Sequence, residues 1–225
     1  MDISIVILFC LIALLFIITS KIRDHLGSFL SKNIIRSKLV VYLLWIIYFP
    51  GIFLHEAAHL VSAIALLLRV DSIYLLPSIK TEDDGKKSIK FGYVTYYRAD
   101  PVRGLLVGIA PFILGTIVLV VLFNAISFPN EKILNNIFFI YTSFVISSTM
   151  FSSKQDLRDL LYIIPTIILF VIILNLFTFH PLSYVKLSLS IQENGIAVVN
   201  KLNQIFSISL SINVFIYAIV KVLRR

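Results

Sequence analysis

Long apolar runs alternate with short polar segments along the chain, and this alternation predicts a membrane protein. Six runs have at least 17 residues, the shortest length at which a helix crosses a bilayer core about 30 Å thick. Residues 21–38, with five basic side chains, are predicted to lie along the membrane surface as a short amphipathic helix, and residues 183–204 are predicted to be amphipathic. The six predicted spans cover residues about 3–19, 39–68, 104–123, 133–151, 160–179 and 205–222.

Two features interrupt this pattern. The second run contains Pro50-Gly51, which predicts a kink or break in its helix, because proline removes a helical hydrogen bond. The polar segment that follows has two β-rich runs, Ile73–Leu76 and Ile89–Tyr97, around a charged turn with a glycine. This predicts a β-hairpin within residues 70–100, whose free edge could bind an extended substrate. The alternative is a solvated connector.

Composition supports this interpretation. Of 225 residues, 59% are hydrophobic and only 14% are charged, which leaves too little polar surface for a soluble domain of this size. The net charge of +8 comes from Lys and Arg in short loops, where they set topology and contact lipid headgroups rather than nucleic acid. We expect one domain, residues 1–225, an all-α polytopic membrane protein with about six transmembrane helices and a small β-hairpin insert. It would be a multi-pass protein of a prokaryotic cell membrane.

The second run carries the candidate chemistry, the sequence His55-Glu56-Ala57-Ala58-His59. Residues four apart share one helix face, so His55 and His59 can bind a single zinc ion together. Glu56 can act as general base toward a water on that metal. The alternative is polar packing inside a helix bundle, but each ionisable side chain in a spanning helix costs on the order of 3 kcal/mol. Three of them within five residues therefore favour a functional site.

A catalytic zinc usually takes three protein ligands. Asp156 is the first candidate for the third ligand, because of the two aspartates after the fourth predicted span it lies closer to the span, on the membrane side nearer the histidine pair. Asp159 is the second candidate, and either aspartate could instead be a loop charge paired with a neighbouring basic residue. His180 has a suitable side chain but is expected on the opposite membrane face.

At these residues the chain resembles the site-two protease family of intramembrane zinc metalloproteases. The resemblance consists of His55-Glu56-x-x-His59 in the second span, a β-rich insert, a third span with glycine and proline, and an aspartate after the fourth. The family's later motif has an Asn, a Pro and then Asp-Gly, whose Asp binds zinc. Here only the aspartate, Asp156, is kept. Ser148 or Thr149 is a candidate for the hydrogen bond that the family's Asn gives.

The resemblance implies a zinc-dependent endopeptidase that hydrolyses a peptide bond in or near a transmembrane segment of a substrate protein. One zinc ion would be held by His55, His59 and Asp156, with Glu56 as the catalytic base. The missing Asn, Pro and Gly motivate an alternative, a non-proteolytic metal-binding membrane protein that serves transport or assembly. A purely structural membrane protein would bind no metal. The substrate, the orientation in the membrane and the oligomeric state stay open.

Overall fold

The computed structural model describes residues 3–33, 38–81, 87–97, 100–151, 156 and 189–223. Within these residues, four helices contain a stretch long and apolar enough to cross a membrane: Ile3–Leu26, Val41–Ala65, Pro101–Ala125 and Gly195–Val222. The predicted span 160–179, Asp159 and His180 lie outside the described residues. The helices are α1 (Ile3–Asn33), α2 (Lys38–Ala65), α3 (Pro101–Ala125), α4 (Ile133–Thr149) and α5 (Leu189–Leu223), and the strands are β1 (Val70–Tyr74), β2 (Ser78–Thr81), β3 (Lys87–Lys90) and β4 (Tyr93–Tyr96).

The helix bounds differ from the predicted ones at both ends of the chain. α1 continues to Asn33, so no separate surface helix begins at residue 21, and α5 begins at Leu189 rather than at 205. No proline interrupts either segment, so the helix extends beyond its apolar part. α3 agrees with the predicted span within three residues at each end. α4 is an apolar helix of 17 residues, shorter than the four candidate spans.

Of the kink or break predicted at Pro50, the break is wrong, because α2 runs through this residue as one helix, and the kink stays a prediction. Gly51 instead brings two helices together, since a Cβ there would collide with Thr149 Oγ1 and Val145 of α4. α2 ends at Ala65, and Leu67, two residues later, has a φ of 56°, the left-handed conformation typical of the residue that follows a helix. There the N–H of Leu68 donates to the Ala63 carbonyl at 2.8 Å.

The insert after α2 forms the predicted hairpin, but with four strands. β1 pairs with β4 and, further out, β2 pairs with β3, both antiparallel. The rings of Tyr74 and Tyr93 stack with centroids 4.8 Å apart. Trp45 Nε1 donates to the Leu75 carbonyl at 2.8 Å, which fixes the base of the hairpin to α2.

The start of α3 closes the insert. Asp100 caps the helix by accepting from the Arg103 N–H at 2.9 Å, and Pro101 stands at the first helical position. This hydrogen bond, with the ion pair to the Arg103 side chain, lowers the pKa of the Asp100 carboxyl. The Arg103 guanidinium also donates to the Leu66 carbonyl at 3.4 Å. The last turn of α2 and the first turn of α3 are thereby linked.

The core lies where α1, α3, α4 and α5 meet. α1 packs along α5, while α2 packs against α3 and α4. This arrangement places the middle of α2, with the His-Glu-x-x-His sequence, between α3 and the C-terminal end of α4. The main buried cluster consists of Leu15, Leu119, Ile146, Met150, Phe151, Ile205 and Phe206.

Candidate metal centre

The structure brings the three predicted ligands together. His55 and His59 lie one turn apart on α2, and their Nε2 atoms are 3.1 Å from each other. Asp156 Oδ1 lies 3.7 Å from His59 Nε2. One ligand atom from each residue lies within 4.8 Å of the others, close enough for all three to hold one metal ion.

His59 is oriented by a backbone carbonyl of α3 that has no hydrogen-bond donor within α3. Its Nδ1 lies 2.9 Å from the backbone oxygen of Val107 on α3. In an α-helix this carbonyl would accept from the N–H four residues later, but that residue is Pro111, which has none. The proline therefore leaves the Val107 oxygen for the imidazole N–H.

His55 is oriented in the same way by the end of another helix. Its Nδ1 lies 2.6 Å from the backbone oxygen of Thr149, the last residue of α4. The last four carbonyls of a helix have no partner within it, so this oxygen also accepts from outside. Gly51, one turn earlier on α2, allows the close approach of α4 that this contact requires.

These two contacts fix where the imidazole protons lie. A carbonyl oxygen only accepts, so each Nδ1 carries the proton and each neutral ring presents a lone pair at Nε2. Two lone pairs that face each other at 3.1 Å repel, unless a proton or a metal ion lies between them. Imidazoles that bind metal characteristically donate their other N–H to a carbonyl or carboxylate. The donor set therefore fits a divalent metal such as zinc.

Asp156 can approach His55 and His59 because the residue of α3 against which it packs is a glycine. The Asp156 backbone oxygen packs against Gly108 of α3, where an added Cβ would collide with it. Gly108 is buried. One turn later on the same helix stands Pro111, the residue that has no N–H to donate to the Val107 carbonyl. α3 therefore positions two of the three ligands through its backbone.

Glu56 points into a cavity next to this cluster. The cavity has a volume of about 360 Å³, and Glu56 is only 8% exposed. The hairpin covers Glu56 closely: the backbone N–H of Val94 is placed to donate to its carboxylate, and a Cβ at Gly92 would lie 3.2 Å from its Cγ. The residues that line the cavity include Arg23, His55, Glu56, Gly92, Ser148 and Thr149.

The two hydroxyls predicted to replace the family's Asn are engaged elsewhere. Ser148 Oγ donates to Asn213 Oδ1 at 3.1 Å, and Thr149 Oγ1 donates to the Val145 carbonyl at 2.9 Å. Neither hydroxyl proton is therefore available to a substrate in the cavity. The hypothesis that one of them supplies the hydrogen bond of the family's Asn gains no support from this geometry.

Arg23 is the cavity residue that sequence reasoning missed. It falls in the basic segment after the first apolar run, where all cations were assigned to topology and lipid contacts. Because α1 is continuous, Arg23 stays on the helix and donates to the Ser148 carbonyl at 3.4 Å and to Ser20 Oγ at 3.0 Å. Its place in the cavity depends on how α1 packs, which no local pattern encodes.

No protein-family model, curated protein or solved structure matches this chain. The resemblance to site-two proteases therefore depends on the residues of the site alone.

Proposed function

We propose that the chain is a zinc-dependent intramembrane endopeptidase. The observation that carries this proposal is the convergence of His55, His59 and Asp156, with both imidazoles oriented through Nδ1 and Glu56 beside them in a cavity. A site of this composition inside apolar helices is costly to build, which favours a catalytic purpose.

The chain's own residues would divide the work as follows. His55 Nε2, His59 Nε2 and an Asp156 oxygen hold the zinc, and the zinc supplies a Lewis acid that polarises a peptide carbonyl and makes water more acidic. Glu56 takes a proton from the attacking water at its carboxylate and passes it to the leaving amine. Glu56 is buried under the hairpin, which shields its carboxylate from bulk water.

The substrate would be a transmembrane segment of another protein, locally unwound to expose its carbonyls. In this proposal six spans cross the cell membrane of a prokaryote, with residues 160–179 as the fifth. Among the described residues each sheet of the insert has two strands, and in this proposal an extended substrate segment pairs with one of these strands.

The test uses the purified full chain with a transmembrane test peptide and zinc. Cleavage is expected, together with one zinc per chain by elemental analysis, and a chelator should stop the cleavage. Glu56→Gln should retain the zinc but lose all measurable cleavage, because the amide cannot accept the proton. Glu131→Gln, an exposed glutamate in the loop before α4, is the matched control and should cleave normally. Full activity of Glu56→Gln would contradict the assigned mechanism.

A second candidate is a non-proteolytic metal-binding protein for transport or assembly. The engaged hydroxyls of Ser148 and Thr149 favour it, because no replacement for the family's Asn donor reaches the cavity from α4. Stoichiometric zinc without cleavage of any test peptide would support this candidate over the peptidase.

A further inference from the structure

We infer that Arg23 forms an anion-binding subsite in the cavity, which selects substrates with an acidic side chain next to the cleaved bond. This inference rests on the proposed peptidase function and names the class of peptide that the same cavity would accept. Arg23 lines the cavity together with His55 and Glu56, within a volume of about 360 Å³. Such a volume has room for one or two side chains beside the backbone to be cleaved.

The hydrogen bonds that the guanidinium makes to described residues all go to neutral groups, and its nearest charge in the sequence is Asp24. Of its five N–H groups, one donates to the Ser148 carbonyl and one to Ser20 Oγ. Among the described residues no carboxylate lies within ion-pair distance of it, although Asp24 is its neighbour in the sequence. Arg23 lies three residues before the end of a stretch apolar enough to span a membrane, where an arginine gains from an anionic partner.

The charge of the surrounding site leads to the same inference. When a divalent ion is bound, the carboxylates of Glu56 and Asp156 balance it, and the guanidinium is then the remaining charge among the residues that line the cavity. An acidic side chain of the substrate would neutralise this charge with charge-assisted hydrogen bonds. Pairing with Arg23 would also remove the free-energy cost of an unpaired acidic side chain within the substrate's transmembrane segment.

The alternative is a structural role, in which Arg23 caps the C-terminal end of α4. A positive charge there stabilises the helix by interacting with its last carbonyls. That role predicts no preference between acidic and neutral substrates. The two roles can therefore be separated by changing the substrate and the arginine together.

The experiment measures binding of fluorescent transmembrane peptides to the Glu56→Gln chain in nanodiscs with a chelator present, so that no metal charge left unbalanced by this variant attracts the Glu peptides. Each peptide has about 25 residues and carries a single Glu, moved through four consecutive central positions, or Gln at the same position. At one position or more the Glu peptide should bind at least about tenfold tighter than its Gln twin. Arg23→Gln should reduce this ratio to about twofold or less, while Arg23→Lys, which keeps the charge, should retain part of it. Lys21→Gln removes a cation from the same helix outside the cavity and should leave the ratio unchanged.

The outcome is independent of whether the chain cleaves peptides. A Glu preference that Arg23→Gln removes would support the subsite even if wild-type protein never cleaves, in which case the peptidase proposal alone fails. Equal binding of the Glu and Gln twins at every position overturns the subsite, as does a preference that survives in Arg23→Gln. A preference that Lys21→Gln removes equally well would mean general attraction to a basic helix, and it also overturns the subsite.

Discussion

At the scale of single residues, the centre depends on carbonyls without a helical donor. Thr149 has one because α4 ends there, and Val107 has one because Pro111 lacks an N–H. Each accepts from an imidazole Nδ1 and thereby turns Nε2 toward the other ring. A proline usually treated as a kink thus acts as a positioning residue for a metal ligand.

Pro111→Ala tests this role. The new N–H of residue 111 would compete for the Val107 oxygen, so His59 is held less firmly and zinc affinity should fall about tenfold or more. At the same time α3 loses a helix-interior proline and should become more stable, by up to about 3 kcal/mol. Competition with a chromophoric chelator measures the affinity, and thermal unfolding measures the stability.

Pro101→Ala is the control for that variant, because Pro101 occupies the first helical position, where no helical N–H is used. Its zinc affinity should equal that of wild type. Unchanged affinity in Pro111→Ala would mean that the Val107 contact does not orient His59.

A second residue-scale prediction concerns Gly108→Ala. The added methyl group would collide with the Asp156 backbone oxygen, so the carboxylate should move away from the histidines and zinc affinity should fall about tenfold or more. Gly195→Ala is the matched control, since nothing lies within 4 Å of a Cβ there. That control should keep its affinity and gain about 0.5–1 kcal/mol of stability. Equal zinc titrations of the two variants would mean that Asp156 does not bind the metal.

At the scale of elements, the end of α4 is held by polar contacts with α5. Asn213 Nδ2 donates to Ser147 Oγ at 2.7 Å, and Ser148 Oγ donates to Asn213 Oδ1 at 3.1 Å. All three residues are buried. Because Thr149 follows directly, this network also fixes the carbonyl that orients His55.

Ser148→Ala should therefore lower the free energy of unfolding by about 0.6–1.7 kcal/mol, the usual range for hydrogen bonds between membrane helices. Ser211→Ala removes a hydroxyl of the same kind from the exposed side of α5, where it bonds only within its own helix. That control should change stability by less than about 0.5 kcal/mol. Denaturation in detergent measures both, and similar losses would rule out a structural role for the network.

The elements were predictable to the extent that the hydrophobic pattern defines them. The pattern indicated where α2, α3 and the hairpin lie, and the spacing of His55 and His59 indicated that they share a face. It failed at the ends of α1 and α5, since the loss of hydrophobicity marks a membrane boundary and not the end of a helix. The contact of His59 with Val107 was readable in principle, from a proline four residues later. Arg23 was not, because its position depends on packing between distant helices.

At the scale of the whole molecule, the candidate ligands come from α2 and from the segment after α4. α3 contacts both, through the Val107 carbonyl and at Gly108. A bound metal would therefore link parts of the chain that are far apart in sequence, and anything that binds only the folded state stabilises it. Zinc at a hundredfold excess over its Kd should stabilise the fold by about 2.7 kcal/mol. A chelator should reverse this shift in thermal unfolding.

His55→Ala should melt at the same temperature with and without zinc, because one of the ligands is gone. His25→Ala is the control: this histidine lies on α1, against Tyr217, and its loss should leave the zinc-dependent shift intact even if the baseline changes. The comparison also separates a specific centre from loose binding to any histidine, since loose binding would give both variants the same shift. A zinc-dependent shift that persists in His55→Ala would place the metal elsewhere, and Glu56 would then have no bound ion to act beside.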